Sequence, residues 1–177
     1  CLVQVGTPNE AVAIDALAEG IDLTPLFDIL ANEQVLKVFH AARQDVEIFV
    51  HLSGNVPTPI FDTQIAAMVC GYGDSVGYER LVRDIAKKSI DKTMRFTDWA
   101  RRPLGNKQIE YALGDVTHLR TIYSKLAERL EANDRTTWLD DEMAILTNTR
   151  TYLVDPQNAE NEKLIVKIGF DTAENEP

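Results

Sequence analysis

Tyr111 and Asp115 stand four residues apart, so a helix across them places a phenol and a carboxylate side by side on one face. That pair could belong to a catalytic site, and a phenol packed in a core with a wet tip satisfies the same spacing. Asp115 lies between Gly114 and Val116 in an apolar stripe, and a carboxylate near a buried face requires a cation or donors. Asp45 closes His40-Ala41-Ala42-Arg43-Gln44-Asp45 just ahead of Val46. Near a helix start it serves the macrodipole as well as it would serve a metal. Asp62-Thr63-Gln64 has the outline of an Asp-x-Glu metal pair with an amide in the second place. Gln lacks the charge that a hard divalent ion prefers, so Asp62 is assigned to an N-cap.

A different chemistry lies in the run from Asp91 to Leu104, where Lys92, Arg95, Arg101 and Arg102 interleave with Phe96 and Trp99. Cations alternating with aromatic rings suit phosphate contacts and base stacking, and they suit a cation–π-packed surface loop too. The net charge of −10 opposes nucleic acid as a partner, yet Arg80 to Lys107 holds nine Lys and Arg against three Asp. That stretch is able to face a polyanion, or to be a solvated surface.

Other chemistries lose support. No Walker loop, G-x-G-x-x-G, G-x-S-x-G or C-x-x-C is present, so no nucleotide cofactor is expected, and His40, His51 and His118 lack zinc spacing. The apolar run Ile65 to Cys70 is far short of the ~18–20 residues that span a bilayer, and no basic-then-apolar leader opens the chain. Cys1 and Cys70 make no disulfide framework, and reduced thiols in a cytoplasmic protein are the simplest expectation, with no membrane partner. Carboxylates with a magnesium-like ion are the chemistry left.

With 177 residues, 45% of them hydrophobic, the chain suffices for one core to position these groups. Leu2 to Val5 and Ala11 to Ile14 read as a hairpin across Thr7-Pro8-Asn9-Glu10. Thr24-Pro25 reads as an N-cap and first helical residue, and Val35 to Phe39 as an internal strand. An amphipathic helix follows from Ala41 to Leu52, closed by Gly54 and Pro57. Pro59 to Phe61 reads as a strand, Asp62 caps a helix through Cys70, and Tyr78 to Ala86 is helical. Ser89 to Pro103 is a long loop, and from Asn106 a persistent apolar stripe marks helices. The pattern is α/β or α+β with a small sheet. Beyond Thr147 the composition turns polar, and residues 147–177 read as a linker and tail. Cys1 leads straight into a strand without an initiator Met, so an upstream strand is expected to be missing.

Taken together these segments resemble the ribonuclease D family of 3′-to-5′ exoribonucleases, within the DEDD superfamily, from about Cys1 to Tyr152. Lys37 to Asp45 is similar to that family's second exonuclease motif, and Tyr111-Ala112-Leu113-Gly114-Asp115 to the third in its tyrosine form. Phe61 to Gln64 and the loop with Asp98-Trp99 and Arg101-Arg102-Pro103-Leu104 resemble further family segments. The resemblance implies an α/β, ribonuclease H-like 3′-5′ exonuclease fold, with a small mixed sheet flanked by helices. It implies an exonuclease domain over 1–146 and, over 147–177, a linker towards a helical C-terminal domain. It implies hydrolysis at RNA 3′ ends, tRNA precursors among them, with two divalent ions, Mg2+ or Mn2+. Asp45 and Asp115 would be ligands, Tyr111 would stand by the attacking water, and His40, Lys92, Arg95, Trp99, Arg101 and Arg102 would hold nucleic acid.

The first motif, an Asp-x-Glu on the strand that would precede Leu2, is not in these residues. In related folds that strand is central, between the strands at Leu2 and Val35, and it carries two of four metal-binding carboxylates. The chain by itself is therefore expected to be inactive. A binding module derived from an exonuclease, and a DNA-directed 3′-5′ exonuclease, are the alternatives.

Overall fold

The computed structural model describes residues 2–152 and 165–171. Cys1 and much of the expected linker lie outside them. Strand β1 (Leu2–Gly6) and strand β2 (Ala11–Ile14) form the expected antiparallel hairpin, with Val3 opposite Ile14. Thr7 shapes the turn, its hydroxyl donating to Glu10 O while its Oγ1 accepts from the N–H of Asn9 and Glu10. Helix α1 (Thr24–Ala31) starts one residue earlier than its sequence predicts. Thr24 is already helical, Leu23 takes the N-cap position without a side-chain cap, and Asp22 Oδ1 accepts the Thr24 N–H at 2.9 Å.

Strand β3 (Leu36–Phe39) leads into helix α2 (Arg43–Ser53), and strand β4 (Ile60–Asp62) leads into helix α3 (Thr63–Val69). β3 and β4 run parallel with Val38 opposite Phe61. Gly54 ends α2 in the left-handed region at φ 75°, its N–H reaching Val50 O, as the Gly there predicts. Helix α4 (Tyr78–Leu81) continues as a π turn over Val82–Ala86. After the 89–105 loop come α5 (Asn106–Thr117), α6 (Leu119–Ala132) and α7 (Thr136–Leu146), then a 3-10 turn over Thr149–Tyr152.

The sheet departs from the sequence reading at its centre. Ile165–Asp171, read from composition as part of a linker, forms strand β5. The order is β2-β1-β5-β3-β4, with β5 parallel to β1 and antiparallel to β3. It thus lies between the strands at Leu2 and Leu36, in the slot where the resemblance puts the absent first-motif strand. β-branched Ile165, Val166 and Ile168 suit a strand, and the polar residues around them obscured that signal.

Every residue of β1 is buried, so both faces of the sheet are covered there. Helix α5 packs on β1, β2 and β5, and α6 on β3 and β5. The core runs through Val3, Phe39, Val46, Phe49, Leu81, Leu119 and Ile122. Gly6 permits the closest helix approach, because a Cβ there would stand 3.3 Å from Val116 Cβ and Val116 O. The end of β1 therefore meets α5 at the turn that carries Asp115.

Candidate active site

Two strand-to-helix turns and one long helix position the groups singled out above. At the end of β3, Ala41 takes φ 58°, a left-handed backbone that turns the N–H groups of Ala41 and Ala42 towards Asp62. The Asp62 carboxylate accepts from Ala41 N at 3.0 Å, Ala42 N at 2.7 Å and Gln64 N at 2.7 Å. It caps α3 and binds the entrance of α2 with one side chain, which agrees with its assignment as a cap. Asp45 follows on the first turn of α2, 9% exposed, where the helix N-terminus favours its charge.

His40 sits at the same turn. Its Nδ1 lies 3.0 Å from Thr63 Oγ1, and the Thr63 hydroxyl donates to Phe39 O at 2.9 Å. With its single proton committed to Phe39, the Thr63 oxygen accepts, so His40 carries its proton on Nδ1. The His40 ring packs on Tyr78, with centroids 5.5 Å apart.

On α5, Asp115 is 7% exposed and Tyr111 lies one turn before it. Burial raises the Tyr111 phenol above its ordinary range, Asp115 and Glu79 add to the rise, and Arg95 opposes it. The Trp99 ring stands against Tyr111 at 5.8 Å. The structure thus gathers Tyr111, Asp115, Trp99 and Arg95, and links His40 to the same helix through Tyr78. A hollow of about 260 Å³ opens beside Tyr111, lined also by Lys107, Gly114 and His118.

The loop cations have partners that sequence reasoning missed. Arg102 grips Asp15, beyond β2, with Nε and with Nη2, the latter at 2.8 Å, and its Nη1 donates to Trp99 O and Arg101 O. Lys92 pairs with Glu79 on α4, and Arg95 stacks over Phe96 at 5.3 Å. Arg101 borders a second hollow with Lys107 and Asp98. Gln108 anchors the loop to α5, donating to Thr97 Oγ1 and Asp98 O. Arg102 is therefore first a tether of the loop. Such pairs join residues far apart in sequence and leave no local pattern.

Buried carboxylates on two helices are hard oxygen donors of the kind a magnesium-like ion takes. Among the described residues, however, no group of three or more His, Cys, Asp or Glu gathers to hold a metal. The donors fit the ion in kind and fall short in number.

A sequence-family profile described as 3′-5′ exonuclease matches residues 1–131. The chain belongs to the 3′-5′ exonuclease family. Among curated relatives, the ribonuclease D of Jannaschia sp. (strain CCS1) is 60% identical over 163 residues, covering 90% of this chain and 42% of that protein. That of Nitrobacter hamburgensis is 56% identical over 159 residues, again 90% of this chain and 42% of the relative. The chain spans 42% of the length of these relatives. Among solved structures, Escherichia coli RNase D, described as an exoribonuclease involved in structured RNA processing, superposes with a TM-score of 0.73 at 33% identity. The match covers 84% of this chain and 42% of that one. Brucella melitensis NrnC superposes at 26% identity with bound Mg2+, at a TM-score of 0.71 over 87% of this chain and 75% of that one. Its complex with pGG gives 0.74 at 26% identity, over 89% and 76%. The exonuclease fold implied by the second and third motifs is the fold of these neighbours. No described helix is long and apolar enough to cross a membrane.

Proposed function

We propose that the protein is a 3′-5′ exoribonuclease of the ribonuclease D type, shortening RNA from its 3′ end, with tRNA precursors as substrates in the cytoplasm. Asp45, Tyr111 and Asp115 form one half of the site, and an Asp-x-Glu strand of the kind the family resemblance implies would supply the other half. The 177 residues alone are inactive. The observation that carries the reading is Tyr111 and Asp115 on one α5 turn, beside Trp99 and the tethered basic loop, in a chain of the exonuclease family.

Each residue then has a task. Two divalent ions, Mg2+ or Mn2+, would activate a water and stabilise the leaving oxygen. Asp45 and Asp115 would hold them as anionic oxygen donors. A Tyr111 phenol raised above its ordinary range stays protonated at neutral pH, so it orients a water by donating or accepting a hydrogen bond and does not act as a base. Trp99 braces that phenol, and Arg95, Arg101 and Lys92 offer charge to the RNA backbone. Arg102 contributes by holding the loop in place.

The deciding experiment joins a strand bearing the expected Asp-x-Glu to Leu2 and follows shortening of 5′-labelled RNA. The completed chain should cut, and the same chain with that strand's Asp and Glu changed to Asn and Gln should fold and bind RNA without cutting. The bare 177 residues should not cut at high Mg2+ or Mn2+. Metal-dependent shortening by the bare chain, abolished by Asp45→Asn, would overturn the reading. Matched RNA and DNA oligonucleotides decide the sugar preference. RNA binding without cutting by the completed chain would identify a binding module instead.

A further inference from the structure

The helix that carries Asp115 is broken just after it, and a tyrosine hydroxyl fills the break. In a continuous helix the His118 N–H would donate to Gly114 O. Here α5 stops at Thr117 and α6 begins at Leu119, with Tyr78 reaching in between. The His118 N–H, which also reaches back to Val116 O, donates to Tyr78 Oη at 3.3 Å, and the Tyr78 O–H donates to Gly114 O at 3.3 Å. A side chain inserted into the ladder bends a helix while keeping its polar groups paired.

The same side chain reaches the other half of the site. Tyr78 is 9% exposed, and its ring packs on His40 at 5.5 Å. His40 is fixed through Thr63 to the last residue of β3, one turn of chain before Asp45. Burial pushes the phenol well above its ordinary range, the Asp115 charge adds to this, and the His118 bond opposes it. Tyr78 is a protonated donor at any working pH. Its neighbour Glu79 holds Lys92, so the first turn of α4 meets the basic loop as well.

We propose that Tyr78 is a positioning residue of the exonuclease site: its hydroxyl sets the α5 turn that presents Asp115, and its ring sets His40 at the β3–α2 turn. One side chain then fixes the spacing between the two motif segments. The inference rests on Asp45, Tyr111 and Asp115 being that site. It assigns Tyr78 no contact with substrate.

Tyr78→Phe removes the bridge and keeps the ring, which leaves Gly114 O and His118 N–H without the hydroxyl that joins them and lets the turn loosen. Removing a group that orients metal-binding residues commonly costs about 10–100-fold in activity or metal affinity. In the completed chain, Tyr78→Phe should lower kcat by about that factor, with KM for RNA within about twofold. The Mg2+ concentration for half-maximal rate should rise about tenfold. Tyr72→Phe is the control for loss of a hydroxyl, since Tyr72 Oη accepts from Arg129 on α6 at 3.1 Å, away from these residues. It should behave as the parent does. In the 177-residue chain, the His118 amide should exchange with solvent faster in Tyr78→Phe by more than the fall in global stability accounts for.

Three results would overturn the proposal. One is a kcat and Mg2+ midpoint for Tyr78→Phe matching those of Tyr72→Phe. Another is a loss of rate that disappears on cooling well below the melting temperature, which would make the role one of stability. The third is full activity of Asp115→Asn, which removes the site itself and is read separately from the exchange at His118.

Discussion

Arg102 and Asp15, 87 residues apart, form a two-pronged ion pair that ties the basic loop to the end of the first hairpin. The pair holds the Asp15 carboxyl down at about 2, chiefly through the hydrogen bond from Arg102. Because the folded value lies below the ordinary one, the stabilisation is present above about pH 4 and is lost as the pH falls towards 2. Trp99, whose carbonyl Arg102 also holds, should report the release. In a Trp138→Phe background, its fluorescence should show an acid transition in that window that Asp15→Asn abolishes. An identical transition in both proteins would show that the pair does not order the loop.

The same tether separates two kinds of arginine. Arg101→Ala removes charge from the loop surface, and its effect on RNA binding should shrink as salt rises. Arg102→Ala should loosen the loop, and Asp15→Asn, which adds no negative charge, should mimic it. Limited proteolysis within 89–104 should accelerate in both, with Arg101→Ala left like the parent. A fully resistant Arg102→Ala loop would remove the tether.

How much of this was legible in the sequence differs by element. The hairpin, the α2 periodicity ending at Gly54 and the Asp62 cap are local devices, and local patterns reveal them. The Tyr78 bridge, the Arg102–Asp15 pair and the Lys92–Glu79 pair are made by the fold after it forms, between side chains with no shared period. Ile165–Asp171 was hidden for another reason: its β-branched run is short and sits in a polar surround. Motif order, through the family resemblance, is what supports the proposed site, since no single residue does.

Within the site, Tyr111→Phe in the completed chain should lower turnover by about 10²–10⁴-fold and leave RNA affinity nearly unchanged, because the ring still packs on Trp99. Asp115→Asn should be more severe, since it removes the charge proposed to hold metal. Equal turnover for Tyr111→Phe and the parent would make Tyr111 a packing residue only.

Lys37 offers a test of the fold away from the site. It lies fully buried on β3, its Nζ donating to Asn32 O at 2.8 Å and to Thr58 O. Burial lowers its pKa to about 8, against a small raising effect of Glu33. A lysine lowered on folding binds its proton more weakly in the native state than in the unfolded chain. Between about pH 8 and 10.5 the unfolded chain holds more protons, so this residue makes stability rise with pH across that window. Lys37→Met keeps the length of the side chain and removes the titration, at the cost of two unpaired carbonyls. Melting temperatures across that range should therefore climb more steeply in the parent than in Lys37→Met, even though the variant is less stable at pH 7.

The last prediction concerns the central slot. β5 pairs with β1 and β3 through registers such as Val3 with Val166 and Lys37 with Phe170, so its backbone amides are shared between two neighbours. The first-motif strand that the family resemblance implies is expected in the same place, and one slot holds one strand. In the bare chain the amides of 165–171 should exchange slowly, since both sides are paired. In the completed chain the added strand would bring the expected Asp-x-Glu carboxylates and would be joined directly to Leu2, whereas Tyr152 and Ile165 are separated by a connection of 12 residues. A shorter link gives a higher effective concentration, so the upstream strand should win the slot. Amides 165–171 should then exchange at the rate of an unstructured peptide while those of 2–6 and 36–39 stay protected. Continued protection of 165–171 in a completed chain that also cuts RNA would show that the sheet has room for both strands, and that the two do not compete.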